Sequence, residues 1–196
     1  MKIFINPGHT PQQEIDAGID WDCGACGFDL QENIVAFNIA KLTAKYLSVL
    51  DCSIKTFQSK ELAAIVDVAN YWDADIFVSI HCNAYDGNTQ GTETIYYGDS
   101  VYGEKLATTI QRQIVSSLGT VDRGIKDKIA GGYDAYVVKY THCPAVLVET
   151  AFIDNYEDNL LLKNNIDDFA RAIARGITDY IALLPDVVDR PADKGF

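Results

Sequence analysis

ADIFVSIHCNA, residues 74–84, decides the fold. Ile76 to Ile80 is a nearly continuous apolar run of strand length, which is how a strand covered on both faces reads. The run stops on a polar side chain, His81. Two other runs stop in the same manner. KIFINPGH, residues 2–9, puts His9 directly after a strand, and PAVLVET, residues 144–150, puts Glu149 at the end of a third. Strands of an open α/β sheet share a carboxyl edge, so His9, His81 and Glu149 can converge there although they lie far apart in sequence.

Outward from these strands, helical periodicity alternates with further β-runs. Val35, Ile39, Leu42, Tyr46 and Val49 fall on one face of a helix predicted over Glu32 to Leu50. CSIKTF (52–57) reads as a short strand, and Leu62, Ile65, Ala69 and Trp72 mark the next helix. GTETIYY (91–97) alternates as a strand, and residues 101–118 form a helix carrying Leu106, Ile110, Ile114 and Leu118. A last stripe runs through Ile166, Phe169, Ile173, Ile177, Tyr180 and Leu184 until Pro185 stops it. This alternation predicts an α/β fold: a single three-layer domain over residues 1–184, with a mainly parallel central sheet and helices on both faces. Residues 7–31 read as a long loop of the functional kind, the wall of a site. Residues 185–196, with two prolines and mixed charge, read as an extended tail or the start of a linker, which leaves a further C-terminal module open.

The bulk numbers exclude several classes. A chain of 196 residues suits one domain with a real core. A net charge of −12 and a pI near 4.5 repel phosphate backbones and anionic membrane surfaces, so nucleic acid is not an expected partner. No apolar run approaches the ~18 residues of a membrane helix, so no membrane insertion is expected. Met1 leads straight into the first strand, and the expectation is a chain made in the cytoplasm without a signal peptide. Five cysteines, an odd number, fit reduced synthesis better than a disulfide scaffold.

With only three histidines in the chain, two at strand ends suggest a metal centre. Zinc takes His and Asp/Glu, and a catalytic site keeps three protein ligands and leaves the fourth position to water. A third ligand should be an anionic oxygen. Glu32, opening a helix, fits by position, although the helix dipole would favour a plain first-turn glutamate equally well. Glu149 ends an otherwise apolar strand, where a charge is costly unless paired or used; beside a metal it could serve as general base and then acid. Cys82 should point away from His81 across an extended chain. His142 reads as an exposed loop residue and Cys143 as a packed one. Cys23 and Cys26 form CGAC, but GFDLQ separates them from the helix start that a thioredoxin-like pair would occupy, so they read as plain loop thiols.

The blocks NPGH (6–9), ENIVAFNIAKLTAKYL (32–47), ANYWDADIFVSIHCNA (69–84) and PAVLVETAFIDNYED (144–158) together resemble the zinc-dependent N-acetylmuramoyl-L-alanine amidases of the amidase-3 type. The resemblance covers residues 2 to about 182, in the family's order and spacing. It implies one Zn2+ per chain held by His9, Glu32 and His81, with Glu149 as catalytic residue. The implied reaction is hydrolysis of the amide between N-acetylmuramic acid and L-alanine of the peptidoglycan stem peptide, on the bacterial cell wall, as in an autolysin or a phage endolysin. A wall-binding module after residue 196 would suit that role. Two departures stand out: Asn6 replaces the family's usual Asp, and Ala151 its usual Gly. No inserted helix is present to plug the cleft, so constitutive activity is expected. The competing readings are a peptidoglycan-binding domain of the same fold without chemistry, against which the four retained residues argue, and a zinc hydrolase of another stem-peptide amide.

Overall fold

Alternation along two central strands builds the domain's layers. In the computed structural model, which describes residues 1–127 and 136–184, β1 (Lys2–Pro7) and β5 (Ile76–Asn83) pair in parallel. Ile3, Ile5, Ile76, Val78 and Ile80 point to one face, where they join the main core. Phe4 and Phe77 point to the other and stack at 5.5 Å between ring centres. Each such side chain, fully buried, is worth about 1.5–3 kcal/mol relative to exposure, so both faces must be covered. Helices α2 (Glu32–Leu47) and α4 (Val101–Leu118) and the C-terminal α7 (Ile166–Leu183) cover the first face. The second is covered by α3 (Leu62–Tyr71) and the short α5 (Tyr136–Tyr140).

Four further strands complete the sheet: β4 (Ser53–Thr56), β6 (Thr92–Tyr96), β7 (Asp122–Asp127) and β8 (Ala145–Phe152). The spatial order is β4-β1-β5-β8-β6-β7. All pairings are parallel except β6 with β8, which run antiparallel. The predicted mainly parallel sheet with helices on both faces is therefore present. The predicted tail, 185–196, lies outside the described residues.

Several local expectations need correction. Helix α2 ends at Leu47 rather than Leu50, and Val49, placed on its buried face from periodicity, is 85% exposed. Residues 7–31 are not structureless: they hold the short helix α1 (Gln12–Asp16) and a hairpin of β2 (Cys26–Gly27) with β3 (Leu30–Gln31). Strand β7 was not predicted, because DRGIKD carries the charges that suit a sheet edge rather than an apolar run. Helix α6 (Tyr156–Asn164) was also missed, although Asn155 caps it by accepting the N–H groups of Glu157 and Asp158.

Candidate metal centre

The register of the central strands sets one row of side chains on the α3/α5 face. Glu149 of β8 pairs with His81 of β5 on one side and with Glu93 of β6 on the other. Beyond His81 comes Gly8, whose N–H donates to the Ile80 carbonyl at 2.9 Å. A Cβ on Gly8 would stand 2.3 Å from His81 Cε1, so only glycine lets this imidazole lie over the β1 exit. His9 follows with φ of 63°, a left-handed conformation that costs a β-carbon residue roughly 1–2 kcal/mol. Backbone strain of this kind collects where a side chain must be aimed.

Glu32 arrives from the other face of the sheet, at the first turn of α2, and is 3% exposed. Its Oε2 lies 3.0 Å from His9 Nε2 and its Oε1 2.9 Å from His81 Nδ1. Two backbone donors hold the carboxylate in place: Ala25 N–H to Oε2 at 2.8 Å and Cys82 N–H to Oε1 at 3.0 Å. Burial works against an ionised Glu32, but the hydrogen bonds from His81 and His9 prevail and hold it well below the usual carboxylate range. Burial likewise opposes charge on His9, and Glu32 and Asp22 beside it raise its pKa nonetheless.

Loop 23–26 encloses the group. Gly24, at φ 70°, passes so close that a Cβ would meet His9 Cδ2 at 2.4 Å and Glu32 Oε2 at 2.6 Å. Asp22 Oδ1 lies 3.1 Å from His9 Nδ1 and also accepts the Gly24 N–H at 3.1 Å. Here the sequence reading missed a participant. The carboxylate beside His9 is that of Asp22 and not one at position 6, where Asn6 accepts from Ser79 Oγ and donates to the Phe57 carbonyl. An Asp in a loop carries no spacing signal, so sequence alone could not have singled it out.

Ligand atoms of His9, Glu32 and His81 all lie within 4.8 Å of one another. Two imidazole nitrogens and one carboxylate oxygen are a donor set that zinc takes in catalytic sites. The glycine clearances, the two backbone donors behind Glu32 and the Asp22 carboxylate behind His9 supply the outer support that such ligands need. The residues present fit a divalent metal.

Glu149 lines the same cleft as these three. Its Oε2 is buried and has no hydrogen-bond partner. Burial first, then the charges of Glu32 and Glu93, push its pKa up to about 7 against the pull of His81 and His9. Glu93, 1% exposed, is by contrast fully committed: Oε1 accepts from Asn83 Nδ2 and Oε2 from Arg123 Nε, each at 2.9 Å. Glu93 and Arg123 were not singled out from sequence, though a glutamate in the middle of GTETIYY was a visible signal. Cys82 points to the opposite core, as expected, with Sγ 3.4 Å from Thr150 Oγ1. His142 is exposed and outside the site.

Known proteins resemble this chain in sequence and fold. The chain is 40% identical over 191 residues to N-acetylmuramoyl-L-alanine amidase LytC of Bacillus subtilis, a match covering 91% of this chain and 35% of that protein. It is 43% identical over 187 residues to the uncharacterized protein YqiI of the same organism, across 91% of this chain and 84% of YqiI. The crystal structure of N-acetylmuramoyl-L-alanine amidase from Clostridium difficile 630 superposes with a TM-score of 0.79 at 30% identity, covering 94% of this chain and 98% of that one. The chain thus spans about a third of the length of LytC, which carries more than this domain. The family model described as N-acetylmuramoyl-L-alanine amidase matches residues 3–179, and the chain belongs to that family.

Proposed function

We propose that residues 1–184 form a zinc-dependent catalytic domain that hydrolyses the amide between N-acetylmuramic acid and L-alanine in peptidoglycan. The observation that carries the reading is the unpartnered carboxylate of Glu149 in the same cleft as the His9, Glu32 and His81 ligand set. Family membership supplies the bond class. The same reading places the domain's work at the bacterial cell wall, with a separate wall-binding module as the natural companion for a chain that spans 35% of LytC.

His9, Glu32 and His81 would hold one Zn2+, which when bound supplies Lewis acidity that polarises a carbonyl and brings the pKa of water toward neutrality. Glu149 moves the protons. Its Oε2 is free of any competing donor, so it accepts a proton from the attacking water and gives it to the departing alanine nitrogen. Asp22 keeps His9 Nδ1 engaged, so Nε2 is the nitrogen left for the ligand role. Ala25 and Cys82 N–H fix both Glu32 oxygens against rotation.

The test is clearing of purified peptidoglycan with and without a chelator, followed by mass analysis of what is released. Chelator-sensitive release of stem peptides beginning at L-alanine is expected. Zinc-loaded protein that binds the wall without releasing anything would favour a binding domain, and release from another stem-peptide bond would move the chemistry along the peptide.

A further inference from the structure

Cys23 and Cys26 lie outside the ligand set, yet they bracket the turn that holds it. Their Sγ atoms are 3.2 Å apart, both are free thiols, and Cys26 is exposed. The turn does two jobs. Its carbonyls close the start of α2, with Ala25 O accepting Glu32 N–H at 2.9 Å and Cys23 O accepting Asn33 N–H at 3.1 Å. Its amide at Ala25 holds Glu32 Oε2, and Gly24 packs on His9. Every constraint on the turn in this form is a hydrogen bond or a contact.

We propose that Cys23 and Cys26 are a modification site, forming a reversible intrachain disulfide by exchange with a low-molecular-weight disulfide, and that this bond fixes the cradle of Glu32 and His9. A disulfide needs its sulfurs near 2.05 Å, so closing this pair takes a movement of about 1 Å within one turn. Positive φ at Gly24 already folds the chain back between the two cysteines. Cys26 is the exposed thiol, whereas Cys82 is 4% exposed, and Cys52 is half-buried with Sγ directed at the Leu47 carbonyl.

The exchange balances in two steps. One thiol of the pair, as its thiolate, attacks one sulfur of glutathione disulfide, forming a mixed disulfide and expelling one glutathione thiolate. The other cysteine then attacks the protein sulfur of that mixed disulfide and expels the second. Two electrons pass from the protein pair to the reagent, and the two thiol protons end on the released glutathione. In the closed form the Ala25 N–H cannot swing away from Glu32, so the metal should leave more slowly. Only this last consequence rests on the ligand assignment above.

The zinc-loaded full chain, equilibrated across glutathione ratios, quenched with an alkylating reagent, unfolded and mapped by mass, tests the bond. The expected result is joint loss of alkylation at Cys23 and Cys26 with no added glutathione, while Cys52, Cys82 and Cys143 stay alkylatable. Persistent glutathione on Cys26, or full alkylation of both at every ratio, overturns the site. Release of zinc to a coloured chelator tests the consequence: about tenfold slower from oxidised than from reduced protein, the lower end of what outer supports of a metal ligand contribute. A Cys23→Ser/Cys26→Ser variant should release at one rate under both conditions. Equal rates in the two redox states of the wild type, or a second zinc protecting this pair, overturn the coupling. A chain that binds no zinc in either state sinks the ligand reading instead, and the alkylation map alone then judges the disulfide.

Discussion

Glu149→Gln separates the chemistry of the cleft from its cost in stability. Glu149 titrates near 4.5 when unfolded and at about 7 in the fold, because burial and the neighbouring carboxylates disfavour its charge. A folded pKa raised above the unfolded one means that the folded state holds its proton longer. Stability is therefore full below 4.5 and declines as pH rises through 7. At ~1.36 kcal/mol per pH unit, Glu149 should cost the metal-free wild type up to about 3 kcal/mol across that window, a cost that the glutamine variant, with no charge to bury at this position, does not carry. Urea unfolding of both proteins in chelator, at pH 4.5 and pH 8, reads this directly. The variant should gain up to about 3 kcal/mol on the wild type between the two pH values, keep zinc when loaded, and hydrolyse peptidoglycan about a hundred- to ten-thousand-fold more slowly. A stability difference that does not change with pH would refute the account of Glu149 as an unpaired buried carboxyl. A fully active variant would refute its role as proton carrier.

His81→Ala should lose both zinc and hydrolysis while the sheet folds, which metal analysis and circular dichroism together would show. Gly24→Ala places a methyl 2.4 Å from His9 Cδ2 at a backbone φ of 70°; it should weaken zinc binding at least tenfold in a competition titration, with intact far-ultraviolet signal. Asp22→Asn should weaken zinc about 10- to 100-fold, whereas Asn6→Asp should not strengthen it, since Asn6 does not face His9.

What could be read in advance was whatever local pattern controls. The apolar runs of β1, β5 and β8 and the polar residues that end them are local signals, and they located His9, His81 and Glu149 at one sheet edge before any coordinate. The first-turn position of Glu32 was equally visible. Long-range contact decides the rest. Asp22 matters because a left-handed His9 turns its Nδ1 toward a loop thirteen residues on, and the hairpin at 26–31 exists because it caps α2 and packs along Ile153. Neither leaves a period in the sequence. Strand β7 escaped because an edge strand is selected for charge, which resembles a loop when read alone. Helix α6 is a different case: an asparagine cap followed by two acids announced it, and the signal was overlooked.

Three buried or half-buried glutamates share this site, and their partners differ. Two imidazoles and two backbone amides hold Glu32 as an anion, while Asn83 and Arg123 donate to the two oxygens of Glu93. Glu149 stands between His81 and Glu93 in the strand row, with no donor on its buried oxygen. Burial disfavours a charge on Glu149, and the negative charges of Glu32 and Glu93 repel one. On the proposed reading, the carboxyl left without a partner is the one that takes up and gives back a proton. On the same reading, a carboxylate set aside for a cation lies next to a carboxyl free to carry a proton, which is the division that metal-assisted hydrolysis of an amide requires.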